Sequence, residues 1–197
     1  MLTLAIQAGG KSSRMGQDKA LMPFRGRPLI QHVMERLAPI ADEIIITTNT
    51  PDAYRFLEVR LTRDLRLGRG ALGGLYTALE TASKPFVAVV ACDMPFASPI
   101  FFSTARRLMA ESAMDVIIPS TENGLEPLHA LYRREICLPA IEAALDADKW
   151  KVISWFGQVN ARILSVKETA AYNPDNLTFW NLNTPEDFAS AEKTFQP

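Results

Sequence analysis

Short apolar runs alternate with amphipathic segments along this chain, and that alternation leaves few folds open. The runs are Leu2 to Ala8, Glu43 to Thr48, Phe86 to Ala91, Val116 to Pro119, Leu128 to Tyr132 and Ile163 to Val166, with a weaker one at Val59 to Thr62. Between them lie helical stripes: Leu29, Val33, Met34 and Leu37 behind Pro28 as a first-turn proline, then Leu75, Leu79 and Ala82, then Phe101, Ala105 and Leu108. A last helix is expected from Pro185, capped by Thr184, with Glu186 and Asp187 suiting its positive end. Strand, crossover helix, strand is the order of a parallel sheet, so the expected fold class is α/β: three αβα layers, Rossmann-like, around a mostly parallel sheet. Residues 119 to 183 read as less regular, with Pro, Trp and Asn scattered among short runs.

A chain of 197 residues suits one domain, 1–197, large enough to bury a core and a cleft. We expect residues up to about 118 to bind one ligand and those from about 119 to 197 to bind a second. A net charge of -1 gives no global field toward nucleic acid or anionic lipid, so neither is an expected partner. Cys92 and Cys137 are too few and too far apart in sequence for a disulfide framework, which fits a reducing cytoplasm. The start MLTLAIQAGG has no basic n-region, and no run approaches the roughly 18 apolar residues of a membrane span.

After the first run comes Ala8-Gly9-Gly10-Lys11-Ser12-Ser13-Arg14-Met15-Gly16-Gln17-Asp18-Lys19. Glycines let successive backbone N–H groups point into one concavity, Ser12 and Ser13 add donors, and Arg14 and Lys19 can neutralise a triphosphate. The stretch matches neither GxxxxGK[ST] nor GxGxxG. A tight strand-to-helix turn with solvated charges is the plain alternative. The nearly continuous apolar run Phe86 to Ala91 reads as a strand covered on both faces, with Cys92 and Asp93 at its carboxyl end. Ligands of open α/β sheets bind at such ends, where Asp93 can hold Mg2+ against a nucleotide phosphate or else merely cap a turn. Cys92 reads as a packed residue rather than a nucleophile. Asp64 to Gly74 places Gly68, Gly70, Gly73 and Gly74 in a second loop running into a helix, where backbone can approach a flat base or ribose.

Together these segments resemble the GT-A-like nucleotidyltransferases, and among them most closely the molybdenum cofactor guanylyltransferases, the MobA family. The likeness rests on AGGKSSRMGQDKAL, Thr48-Asn49, Asp64 with its glycines, Cys92-Asp93-Met94-Pro95, Glu126-Pro127-Leu128, and Asn181-Leu182-Asn183-Thr184-Pro185-Glu186-Asp187, and covers nearly the whole chain. It implies transfer of GMP from GTP to the terminal phosphate of molybdopterin, with pyrophosphate released and Mg2+ as cofactor. It implies nucleotide contacts at Gln7, Ala8, Gly9, Lys19, Asn49, Asp64 and Asp93, joined by Gly10, Gly73 and Gly74 from the two glycine loops. Asp93 carries the metal, with Lys19 and Arg14 balancing phosphate charge. Gln7 departs from the leucine usual in that family, and an amide there could pair with guanine or with cytosine.

By the same resemblance Asn181 and Asn183 contact the pterin, and two residues apart on an expected strand their amides face one way. The lesser alternative is that they are turn residues before a helix. Lys149, Lys151 and Arg162 read as solvated charges, His129 as a core histidine, and Trp150, Trp155 and Trp180 as core or as stacking surfaces for a pterin. Transient contact with other cofactor-biosynthesis proteins is the remaining expected partnership. The competing functions are the same chemistry with CTP, a sugar or polyol phosphate as acceptor, and a non-catalytic nucleotide-binding regulator.

Overall fold

The computed structural model describes residues 1–9 and 18–194. Among the described residues the strands are β1 Leu2–Gln7, β2 Pro23–Phe24, β3 Arg27–Pro28, β4 Glu43–Thr47, β5 Arg60–Thr62, β6 Phe86–Ala91, β7 Val116–Thr121, β8 Gly124–Leu125, β9 His129–Arg133 and β10 Ala161–Leu164. The helices are α1 Leu29–Leu37, α2 Gly70–Thr81, α3 Pro99–Ala110, α4 Arg134–Asp146, α5 Val166–Ala170 and α6 Pro185–Thr194. The central sheet has the order β10-β7-β9-β6-β1-β4-β5, with β8 paired to β7. Strands β6, β1, β4 and β5 are mutually parallel, as is β10 with β7. Only β9 runs against its neighbours β6 and β7 within that order. The connection from β7 through β8 to β9 is too short for a crossover helix, so the chain must turn back antiparallel. The result is the expected mixed α/β fold with a largely parallel sheet flanked by helices.

Side-chain alternation on the two central strands explains why their sequences read as unbroken apolar runs. Leu4 and Ile6 of β1 and Ala88 and Val90 of β6 join one core with Ile30 and Val33 of α1 and Phe102 of α3. Ala5 of β1 and Val87 and Val89 of β6 enter the opposite core, beneath α2 and α4. Full burial of one such valine or leucine contributes about 1.5–3 kcal/mol. A smaller cluster joins Phe24 and Leu29 to Phe96, Leu182 and Phe188. It docks α6 and the segment before it against the first half of the chain. No helix among the described residues is long and apolar enough to cross a membrane.

Several expectations need correction. α4 runs straight through the segment read as irregular. Pro139 forfeits one helical hydrogen bond, but Cys137, Ile141, Ala144 and Leu145 form a buried stripe that outweighs it. On α3 the inward residue of the last turn is Met109, whereas Leu108 is largely exposed. Pro28 is the residue before α1, with extended ψ, rather than part of its first turn. The run at Ile163 to Val166 divides, because Ser165 caps α5 through Glu168 in a capping box. Asn181 and Asn183 lie outside any strand.

Candidate active site

The parallel strands end side by side, and two backbone bonds hold their exits together. Ala8 N–H donates to Thr47 O at 2.8 Å and Cys92 N–H to Gln7 O at 3.0 Å. Thr48 N–H then donates to Thr62 O at 2.8 Å, bringing Asp64 alongside. Asn49 Nδ2 donates to Asp64 Oδ2 at 2.9 Å, and Asp64 N–H approaches Asn49 Oδ1 at 3.4 Å. Gly9 faces this pair: a Cβ there would start 3.7 Å from Asp64 Oδ2 and 3.9 Å from Asn49 Nδ2. The first glycine loop therefore leaves the sheet directly beside Asn49 and Asp64, with no side chain between. Gly10 and Arg14 lie outside the described residues, as do Lys11, Ser12 and Ser13.

Lys19 stands where the chain returns. Asp18 caps the short 3-10 turn Lys19–Leu21 and accepts a 2.6 Å hydrogen bond from Tyr54 OH, so a buried phenol fixes the approach of Lys19. Burial and the Asp18 carboxylate drive the Tyr54 pKa up, which keeps that phenol a donor. The Lys19 ammonium is paired with Asp93 Oδ2 and donates to Asn183 Oδ1 at 2.8 Å. The Lys19 and Asp93 side chains are only 17% and 14% exposed. Asp93 sits in the turn after β6, where its carbonyl accepts from Leu182 N–H at 3.0 Å. Leu182 is buried in the small aromatic cluster, and this anchor sets Asn183 against Lys19. Asp93 Oδ1 is buried and has no hydrogen-bond partner among the described residues. Among the same residues, no three His, Cys, Asp or Glu side chains gather to hold a metal ion.

Gln7 is 8% exposed, and its Nε2 is buried without a partner among the described residues. It is packed against the first turns of α2: a Cβ at Gly74 would lie 2.8 Å from Gln7 Oε1. A Cβ at Gly73 would lie 2.8 Å from both Arg66 O and Arg69 Cβ, so the second glycine loop folds tightly onto its own helix. Both glycines are needed for close approach, at neighbouring points of one wall.

Next to Asn183 a cavity of about 660 Å3 opens between the β7–β8 turn and the chain before α6. Asn181 and Asn183 line it with Thr121, Asn173, Asn176 and Trp180. Of the tryptophans, Trp155 is core, Trp150 is exposed under Arg69, and Trp180 stacks on Phe96 with ring centroids 6.1 Å apart. Lys149, Lys151 and Arg162 are exposed, Arg162 pairing with Glu168. Glu126 accepts from Thr121 Oγ1 at 3.1 Å, and burial together with the Asp93 charge raises its pKa. Its bond to Thr121, and the bracing of Lys19 by Tyr54 through Asp18, are features that motif reading did not supply. Burial and Asp93 likewise push the Cys92 thiol up, so it is no nucleophile at neutral pH. His129 is enclosed by Phe101, Phe102 and Phe179, and burial lowers its pKa to about 3.

This arrangement, Gly9 beside Asn49 and Asp64 and a lysine-paired Asp93 in the turn after β6, along the carboxyl edge of the sheet, suits binding of a nucleotide phosphate chain. Residues 4–161 match the family model described as a MobA-like NTP transferase domain. The chain belongs to that family. Among its MobA-like relatives, a probable molybdenum cofactor guanylyltransferase of Carboxydothermus hydrogenoformans is 38% identical, the alignment covering 98% of this chain and 96% of the relative. A molybdenum cofactor guanylyltransferase of Desulfosudis oleivorans is 34% identical over 97% of this chain and 94% of its own. The crystal structure of molybdopterin-guanine dinucleotide biosynthesis protein A from Archaeoglobus fulgidus superposes with a TM-score of 0.82. It is 25% identical, with 98% of this chain and 97% of that one covered. The MobA-like fold of the chain is thus matched along almost its full length.

Proposed function

We propose that the protein transfers GMP from GTP to the terminal phosphate of molybdopterin, forming the guanine dinucleotide cofactor and pyrophosphate. The observation that carries the reading is the Asp93 carboxylate: one oxygen is held by Lys19, and the other is buried and free of partners among the described residues. An orphaned carboxylate oxygen is a fitting ligand for a hard cation completed by phosphate oxygens and water. Mg2+ bound to Asp93 would polarise the α-phosphorus and neutralise charge on pyrophosphate.

The chain's own residues do the rest. Lys19 has two acceptors within reach, Asp93 and Asn183, and can turn its charge to the phosphates without leaving the site. Arg14 and the backbone of Ala8, Gly9 and Gly10 are proposed to cradle the same phosphates. Gln7, Gly73 and Gly74 would wall the base, and Asn49 and Asp64 would face the ribose side of the nucleotide. Asn181 and Asn183 line the cavity, whose volume suits a tricyclic pterin. An oxygen of the acceptor phosphate forms the new bond to the α-phosphorus. The bond from that phosphorus to the bridging oxygen breaks, and pyrophosphate leaves with the electron pair. The acceptor phosphate is already anionic at neutral pH, so no protein base is needed.

Isothermal titration with GTP, CTP, ATP and UTP in the presence of Mg2+ tests the nucleotide half. GTP should bind most tightly, and CTP in first place would favour the cytidylyl reading. The unpartnered Gln7 amide is the observation that keeps that second reading specific, since an N–H donor suits either base.

A further inference from the structure

The loop that carries Asp64 into α2 is held in an unusual way. Its apolar side chains do not fasten it, because Leu65 and Leu67 are 54% and 74% exposed. Gly68 and Gly70 have positive φ, 76° and 56°, and these two left-handed residues reverse the chain between Arg66 and Arg69 and at the start of α2. Both arginines reach the end of α4. Arg66 Nη2 lies 3.2 Å from Glu142 Oε1 and 3.3 Å from Asp146 Oδ1, with its guanidinium 5.4 Å from the Tyr76 ring centroid. Tyr76 OH donates to the same Glu142 oxygen at 3.2 Å. Arg69 pairs with Asp148 and lies 5.0 Å from the centroid of the exposed Trp150 ring. The Arg69 bond holds the Asp148 carboxyl below its usual range. Two guanidinium groups from one stretch of loop thus meet three carboxylates and two aromatic rings.

We infer that Arg66 and Arg69 form a clasp that sets the position of the second glycine loop, and thereby the affinity for the nucleotide. This rests on the reading of Asp64, Gly73 and Gly74 as the nucleotide's wall. An isolated exposed ion pair would matter little, but a network of this size with each guanidinium over an aromatic ring holds a loop that hydrophobic burial leaves loose. The arginines are positioning residues: they touch Asp148, Trp150, Glu142 and Tyr76, while their neighbour Asp64 bonds to Asn49 beside Gly9. Both act in the ground state and in the transition state alike. Their loss should therefore change KM for GTP and leave kcat in place.

The test is the double variant Arg66→Ala with Arg69→Ala, compared with the parent and with Arg66→Lys with Arg69→Lys. GTP binding by titration, steady-state kinetics, amide hydrogen exchange over residues 64–70 and thermal unfolding are followed on the same samples. We expect Kd and KM for GTP to rise about fivefold or more in the alanine pair, with kcat within twofold and faster exchange in the loop. The lysine pair keeps charge but not the planar fork of donors and should fall between. Charge exchange, Arg69→Asp with Asp148→Arg, should regain affinity relative to Arg69→Asp alone. Unchanged GTP affinity in the alanine pair overturns the clasp while leaving the transferase reading intact, as does a fall in kcat with KM unmoved. Failure of the parent itself to bind GTP would instead remove the reading on which the clasp rests.

Discussion

Lys19 and Asp93, 74 positions apart in sequence, form one ion pair, and the same ammonium donates to Asn183 a further 90 residues on. Three segments of the chain thus meet at a single charge. The pair lies at the edge where β1 and β6 end, and Asn183, which completes the group, also lines the cavity shared with Asn181.

Asp93→Ala should remove at least about 100-fold of transfer activity, because the carboxylate proposed to hold the metal is lost. The fold should survive, since the structural contact of Asp93 is its backbone carbonyl to Leu182 N–H. Product formation and thermal unfolding, followed together, check this. Near-parental activity with Mg2+ would remove Asp93 from the metal site.

Lys19→Ala should weaken GTP binding and slow turnover about 10-fold or more, since a charge on the phosphates counts in both the ground state and the transition state. Asn183→Ala removes only the second acceptor of the ammonium and should have the smaller effect on GTP. Its larger effect is expected on KM for molybdopterin, because Asn183 also lines the cavity. Steady-state kinetics with each substrate varied in turn separate the two. Equal parameters in Lys19→Ala and the parent would make Lys19 a structural residue.

The sheet was legible because β6 and β1 are covered on both faces, so Phe86 to Ala91 has its boundaries written in apolarity alone. Asp93 and the glycines around Asn49 and Asp64 were legible because chemistry and conformational freedom are local properties of a residue type. α4 was not, since Pro139 breaks the pattern while the stripe that overrides it depends on packing under the sheet. Nor could the sequence show Tyr54 bonding to Asp18, or Leu182 anchoring Asn183 through Asp93, because those contacts exist only once distant segments are docked. The pairing of Arg66 and Arg69 with carboxylates of and beyond α4 likewise exists only once those segments are docked.

Gln7→Leu should shift the ratio of GTP to CTP use by more than twofold, or about 0.4 kcal/mol. A buried donor left without a base acceptor costs roughly 1–3 kcal/mol, so Gln7 Nε2 is placed to discriminate. Competition between the two nucleotides, with parent and variant side by side, measures the ratio. A smaller shift would make Gln7 a packing residue against Gly74.

His129 gives a pH signature independent of catalysis. Its folded pKa of about 3 lies below the ordinary 6.5, so the unfolded state takes up the proton first. Stability from this group is present in full well above 6.5 and declines as pH falls toward 3, by roughly 2 kcal/mol between 7.5 and 5. His129→Phe should preserve the stacking on Phe102 and flatten that part of the acid limb. Urea unfolding at pH 7.5 and pH 5 should show the parent losing more stability than the variant. Parallel losses would mean that His129 is already charged or hydrated in the folded protein.

The most direct measurement is product analysis with GTP labelled at the α-phosphorus, molybdopterin and Mg2+. If the proposed transfer takes place, the label moves into a guanine dinucleotide of the pterin, with one pyrophosphate released for each transfer and no transfer by Asp93→Ala. Label that stays in GTP, or that appears only in free GMP, while molybdopterin remains unmodified would contradict it.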